Sequence, residues 1–115
     1  MEDCIFCKIA NHKSPANIEL ETDNVISFPS TSPAAETHIL IIPKVHIATF
    51  TDLEEEHKDI FMEMAQVTQK LIEKKNISNG YKLVFNGGKY QSVQHIHWHL
   101  LGGKLENEDQ VINKT

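Results

Sequence analysis

His95-Ile96-His97-Trp98-His99-Leu100-Leu101 is the stretch that decides how this chain folds. Imidazole and apolar side chains alternate there at the two-residue period of a β-strand, whose successive side chains point to opposite faces. The alternation predicts a strand over residues 95–101, with Ile96, Trp98 and Leu100 on an inward face and His95, His97 and His99 on the other. At roughly 3.3 Å rise per residue, neighbouring imidazoles would stand about 6.6 Å apart. Spacing alone leaves two chemistries open. A His-x-His pair on a strand can bind zinc, as in three-histidine sites with an open fourth position. Alternatively, one imidazole can serve as nucleophile or acid/base while its neighbours orient it.

Upstream of this strand lies the strongest helical signal. Leu53, Ile60, Phe61, Met64, Val67, Thr68, Leu71 and Ile72 recur at helical spacing and predict a core-facing helix from about Asp52 to Lys75. Thr51 followed by Glu54 reads as its capping box, and Asn79-Gly80 as the left-handed exit. Short strands are expected at 17–22, 25–28, 38–42 and 81–86, with a loop from Pro29 to Pro33 and a short N-terminal helix over Cys4–Ala10. One long helix and a run of closely connected strands predict an α+β fold. Its sheet would be antiparallel and five-stranded, because a parallel sheet needs more crossover helices than the chain contains.

Composition narrows the function. The chain has 115 residues, and 16 Asp plus Glu outweigh 11 lysines, with no arginine, for a net charge of −5. Seven histidines could reverse that sign on protonation. An acidic chain without arginine is a poor nucleic-acid binder. Its longest apolar run, residues 39–42, is too short to span a bilayer, and no basic segment with an apolar h-region opens the N-terminus. The expectation is one domain over residues 1–115 in the cytoplasm, with reduced cysteines and an acidic, mobile tail over 106–115. The pair Cys4-x-x-Cys7 has ligand spacing, but read alone it fits structural zinc, a redox pair or two buried thiols.

The histidine strand resembles the signature of the histidine triad (HIT) family, His-x-His-x-His followed by two apolar residues. The chain is similar to the HINT-like branch, which hydrolyses nucleoside phosphoramidates. The likeness extends from Cys4-Ile5-Phe6-Cys7-Lys8-Ile9 through Ile41-Ile42-Pro43-Lys44 and His46 to Gln91-Ser92-Val93 and Leu101-Gly102-Gly103. It implies a HIT-like fold, a homodimer that extends the sheet, and purine nucleoside monophosphate derivatives as substrates.

By that resemblance His97 is the nucleophile on the α-phosphate, oriented through its other ring nitrogen by a backbone carbonyl. His99 contacts the phosphate oxygens, and Ser92 donates to the departing amine. Asn86, Gln91, Ser30 and Thr31 join the substrate-binding set, with Gly87 and Gly88 supplying amides. Two departures stand out. Ser30 occupies the place where the family usually carries a ribose-binding aspartate, and the loop between Asn86 and Gln91 is about two residues shorter than usual. Family members with the Cys pair resemble galactose-1-phosphate uridylyltransferases, which implies structural zinc on Cys4, Cys7, His46 and His95. His38 is then a satisfied polar group near the site, and His12 and His57 are surface residues. The competing expectation is a zinc- or nucleotide-binding module with little or no catalytic activity.

Overall fold

A computed structural model describes residues 3–105. A short helix α1 (Ile5–Ala10) is followed by strands β1 (Leu20–Glu21), β2 (Val25–Pro29) and β3 (Ala35–Pro43). Helix α2 (Lys58–Lys74) precedes β4 (Tyr81–Val84) and β5 (Trp98–Leu105). The five strands form one sheet in the order β1-β2-β3-β5-β4 with every neighbouring pair antiparallel, and α2 connects β3 to β4 across β5. The predicted α+β class and strand number are correct. Among the described residues, no helix is long and apolar enough to cross a membrane. The tail over residues 106–115 lies outside the described residues.

β3 is buried on both faces, and its alternation divides the core in two. Ile39 and Ile41 join Val25, Leu100, Met64, Val67 and Leu71 beneath α2, where Phe61 meets Trp98 edge to face at 5.5 Å. Leu40 and Ile42 point the other way and join Ile26, Phe28, Phe6 and Ile9 beneath α1. Each such side chain contributes about 1.5–3 kcal/mol by leaving water. The thiol-bearing helix and the long helix therefore cover opposite faces of the same sheet.

β1 is confined to Leu20–Glu21, β3 starts earlier at Ala35 and β4 ends at Val84, and three further boundaries differ from the sequence reading in ways that shape the helix and the site. α2 starts at Lys58, because residues 50–57 form two 3₁₀ turns. The capping box that forms is Glu54 with His57: Glu54 N–H donates to His57 Nδ1 at 3.0 Å, and the Glu54 side chain accepts from the His57 amide. That exchange satisfies the donors that Thr51 was expected to serve. At the far end Asn76, with φ +57°, is the left-handed residue. The amides of Asn76 and Ile77 reach back to the carbonyls of Glu73 and Ile72, closing the helix three residues before Asn79.

The third difference matters most for the site. β5 begins at Trp98, so His95 and His97 precede the strand. Its ladder with β3 starts at Ile41↔Trp98. β3 then ends at Pro43, whose ring nitrogen has no N–H to donate and whose carbonyl is taken by the His95 side chain. Residues 92–97 accordingly bend away, and the three imidazoles do not form one regular row.

Candidate active site

Three histidines meet where β3 and β5 lie side by side. His97 sits just ahead of β5, His99 is its second residue, and His38 projects from β3 on the face of Leu40 and Ile42. All three are buried. The His97 and His99 rings are 4.9 Å apart, and the His38 and His99 rings 5.2 Å apart. The edge of the Phe6 ring stands against His97 at 5.1 Å.

Hydrogen bonds fix which nitrogen of each ring carries the proton. His97 Nδ1 lies 2.8 Å from the His95 carbonyl oxygen. A carbonyl only accepts, so Nδ1 bears the hydrogen and Nε2 keeps its lone pair. Burial holds His97 below the usual imidazole range against that carbonyl's opposing pull, so the ring is neutral near pH 7. On the other side, the Ala34 amide donates to His38 Nδ1 at 2.9 Å, which leaves the His38 proton on Nε2. Nε2 faces His99 Nδ1 at 2.9 Å and donates to it. The His99 proton is thereby assigned to Nε2, which is buried with no hydrogen-bond partner among the described residues. Burial, with His97 and His38 adding to it, pushes His99 down to about 3. The pair thus presents one nucleophilic lone pair beside one neutral N–H donor.

Both imidazoles open into a cleft of about 780 Å³. Ile5, Phe6, Ile9, Phe28 and Leu40 make its apolar walls, and Ser30, Thr31, Ser32 and Ser92 supply hydroxyls. That volume and mixture suit a ligand with a flat apolar part and a polar end.

Residues 3–113 match the family described as scavenger mRNA decapping enzyme C-term binding. The chain is 42% identical over 106 residues to purine nucleoside phosphoramidase of Escherichia coli K12, covering 90% of this chain and 89% of that one. The chain belongs to the histidine triad family. Solved HIT structures agree in fold. A HIT family hydrolase from Legionella pneumophila superposes with a TM-score of 0.86 at 40% identity, covering 91% of this chain and 96% of that one. A histidine triad protein from Clostridium difficile gives 0.87 at 36%, covering 90% and 93%. These relatives support a hydrolase.

The HIT residues expected from sequence fall into three groups. Ser30, Thr31, Ser92, His97 and His99 line the cleft. Asn86 and Gln91 are not among its lining residues. Asn86 Nδ2 is buried without a partner among the described residues, and so is Gln91 Oε1. The Gln91 amide instead donates to the carbonyls of Ala48 and Val93, at 2.5 and 2.8 Å, pinning the loop that carries Ser92. His38 has the role the sequence left least specified, because its partner His99 is 61 residues away and only the β3–β5 register brings them together.

The third group is the cluster Cys4, Cys7, His46 and His95, whose ligand atoms all lie within 4.8 Å of one another. Cys4 Sγ is 3.4 Å and Cys7 Sγ 3.5 Å from His95 Nδ1, and Cys7 Sγ is 3.2 Å from His46 Nδ1. A tetrahedral zinc site with ordinary Zn–S and Zn–N bonds has S···N edges of about 3.5 Å. His95 is oriented for this work: its Nε2–H donates to the Pro43 carbonyl at 2.7 Å, turning the Nδ1 lone pair toward both sulfurs. Burial pushes His95 down to about 4, in keeping with a neutral ligand. Burial also pushes the Cys7 thiol up to about 11, with its neighbour Cys4 adding to the shift. Without a cation these effects keep His95 and the Cys7 thiol uncharged; the donor set fits a thiolate-preferring metal ion, which would displace the Cys7 proton.

Proposed function

We propose that this HIT protein hydrolyses the P–N bond of nucleoside 5′-monophosphate derivatives, such as adenosine phosphoramidates, through a covalent nucleotidyl-His97 intermediate. The observation that carries the reading is the 2.8 Å bond from His97 Nδ1–H to the His95 carbonyl inside the cleft, which leaves Nε2 as a neutral nucleophile. Nε2 attacks the α-phosphorus; the P–Nε2 bond forms as the P–N bond to the amine breaks. The amine leaves with a proton, for which the Ser92 hydroxyl is the donor. His99 Nε2–H donates to a phosphate oxygen as charge builds there. Water then attacks phosphorus and gives a proton back to Ser92, the P–Nε2 bond breaks, and the nucleoside monophosphate is released with neutral His97 restored.

The apolar walls receive the base, and the hydroxyls of Ser30 and Thr31 face the sugar. A purine suits the apolar wall formed by Ile5, Ile9, Phe28 and Leu40. Asn86 and Gln91 shape the phosphate loop from behind the cleft. Cys4, Cys7, His46 and His95 hold a structural zinc ion, which would tie α1 to the segment bearing His97. Two copies pair through the open edge of β4. Support for that pairing comes from Leu83, Phe85 and Phe50, which are exposed along that edge; the last two rings stack at 5.1 Å.

Turnover of an adenosine phosphoramidate by the wild type, beside His97→Ala, tests the function. A loss of at least about 10³-fold in the variant is expected of a removed nucleophile; equal rates would end the assignment. The second reading, a nucleotide- or zinc-binding module without useful catalysis, is motivated by Ser30, an uncharged group at the sugar. It predicts nucleotide affinity without turnover in both proteins.

A further inference from the structure

His97 is held differently from the rest of the histidine stretch. It precedes the β5 ladder, which begins at Trp98, so no strand pairing fixes its backbone. Three other contacts do. The Ile96 amide donates to the Ile47 carbonyl at 2.8 Å, beside His46. The His95 carbonyl takes the His97 Nδ1 proton. Phe6, which lies between Cys4 and Cys7 in sequence, sets its ring against both His95, at 5.9 Å, and His97, at 5.1 Å.

Every one of these contacts originates in, or next to, the Cys4–Cys7–His46–His95 cluster. His95 in particular faces two ways: its imidazole points at the two sulfurs, while its own carbonyl orients the neighbouring nucleophile. Cys4 Sγ also accepts from the Cys7 amide, at 3.3 Å, so the turn that carries both thiols is the turn that places Phe6.

We infer that the cluster is a positioning device for His97: a thiolate-preferring divalent cation bound there fixes residues 95–97 and Phe6, and so aligns the nucleophile. The inference rests on the catalytic reading of His97 given above. Cation occupancy then acts first on the chemical step through His97; of the cleft's walls Ile5, Phe6 and Ile9 share α1 with the thiols, while Ser30, Thr31, Phe28 and Leu40 are carried by other segments. His95 and Phe6 are positioning residues, and the cluster becomes a control point at which loss of the metal slows the enzyme.

Zinc ion alone is the probe. Fully loaded protein and protein stripped by a chelator are compared for kcat and KM on an adenosine phosphoramidate. The His97 Nδ1–H resonance is followed in parallel by ¹⁵N-edited NMR. Expected on stripping is a fall in kcat of about 10- to 100-fold, the usual cost of a slightly misplaced reacting group. KM should change less than kcat, because Ser30, Thr31, Phe28 and Leu40 keep their places. The Nδ1–H resonance should be sharp when loaded and lost when stripped, and zinc should restore resonance and kcat along one curve. A stripped, folded protein with unchanged kcat and resonance overturns the inference, as does failure to bind zinc. His46→Gln removes a ligand that does not touch His97 and guards against unfolding on complete stripping. Its kcat per folded molecule should track partial zinc occupancy, and a constant kcat across occupancies also overturns the inference. If loaded protein never cleaves the phosphoramidate, the catalytic reading fails, while the resonance still decides whether the cluster positions His97.

Discussion

His38 Nε2 lies 2.9 Å from His99 Nδ1, and the Ala34 amide occupies the other nitrogen of His38. A backbone amide can only donate, so one peptide N–H sets the tautomer of two successive imidazoles. The outcome reaches the cleft as an N–H on His99 Nε2, buried without a partner among the described residues and suited to a phosphate oxygen.

His38→Ala should therefore impair the reaction through His99. Losing one partner of a buried hydrogen bond costs about 1–3 kcal/mol, or about 5- to 150-fold in rate if the cost falls on the transition state. Steady-state kcat/KM measures it, with circular dichroism as the control for folding. An unchanged kcat/KM would show that His99 holds its tautomer without His38.

His99 also predicts a pH dependence of stability. Its pKa is depressed to about 3 in the fold, below the ordinary imidazole value, so the unfolded chain binds more protons between those values. The neutral form's contribution is fully present above about pH 6.5 and is lost as pH falls toward about 3. Urea midpoints at pH 7.5, 6.0 and 4.5 should decline in that order, and His99→Asn should flatten the decline. An equally steep profile in the variant would assign the loss to other groups.

Zinc content gives a third prediction. Wild-type protein should retain one zinc ion per chain after dialysis, and Cys4→Ala combined with Cys7→Ala should retain none, because two neutral imidazoles alone make a weak site. Complete retention in the double variant would place the metal on the strand histidines instead. Uptake by the wild type should release protons, since the Cys7 thiol, pushed up to about 11, is protonated in the free cluster.

The fourth concerns assembly. β4 is an edge strand whose Leu83 is exposed, with Phe85 exposed just beyond its end. Sedimentation should give a dimer for the wild type and a monomer for Leu83→Lys combined with Phe85→Glu. A wild-type monomer at micromolar concentration would contradict the pairing.

Local patterns told most of the architecture. The helical stripe from Ile60 to Ile72 and the alternation of Trp98, His99 and Leu100 follow from periods that each segment carries in itself. The misread boundaries were decided by choices between equivalent local signals. Glu54 with His57 displaced Thr51 as the cap, and Asn76 left the helix before Asn79 could. Alternation also extended the histidine strand back to His95, because a sequence does not display that Pro43 will offer its carbonyl to an imidazole 52 residues away. The cleft was legible at Ser30, Ser92, His97 and His99, where family resemblance supplied what spacing could not. The His38–His99 bond was not, since it exists only in the β3–β5 register.

The central claim is that His97 Nε2 becomes bonded to phosphorus, and the direct measurement is mass spectrometry of protein quenched in acid-free denaturant during turnover of an adenosine phosphoramidate. A nucleotidyl adduct should appear on the peptide containing His97, form and decay at rates compatible with kcat, and be absent from His97→Ala. Full turnover with no adduct at any time, or an adduct on another histidine, would contradict it.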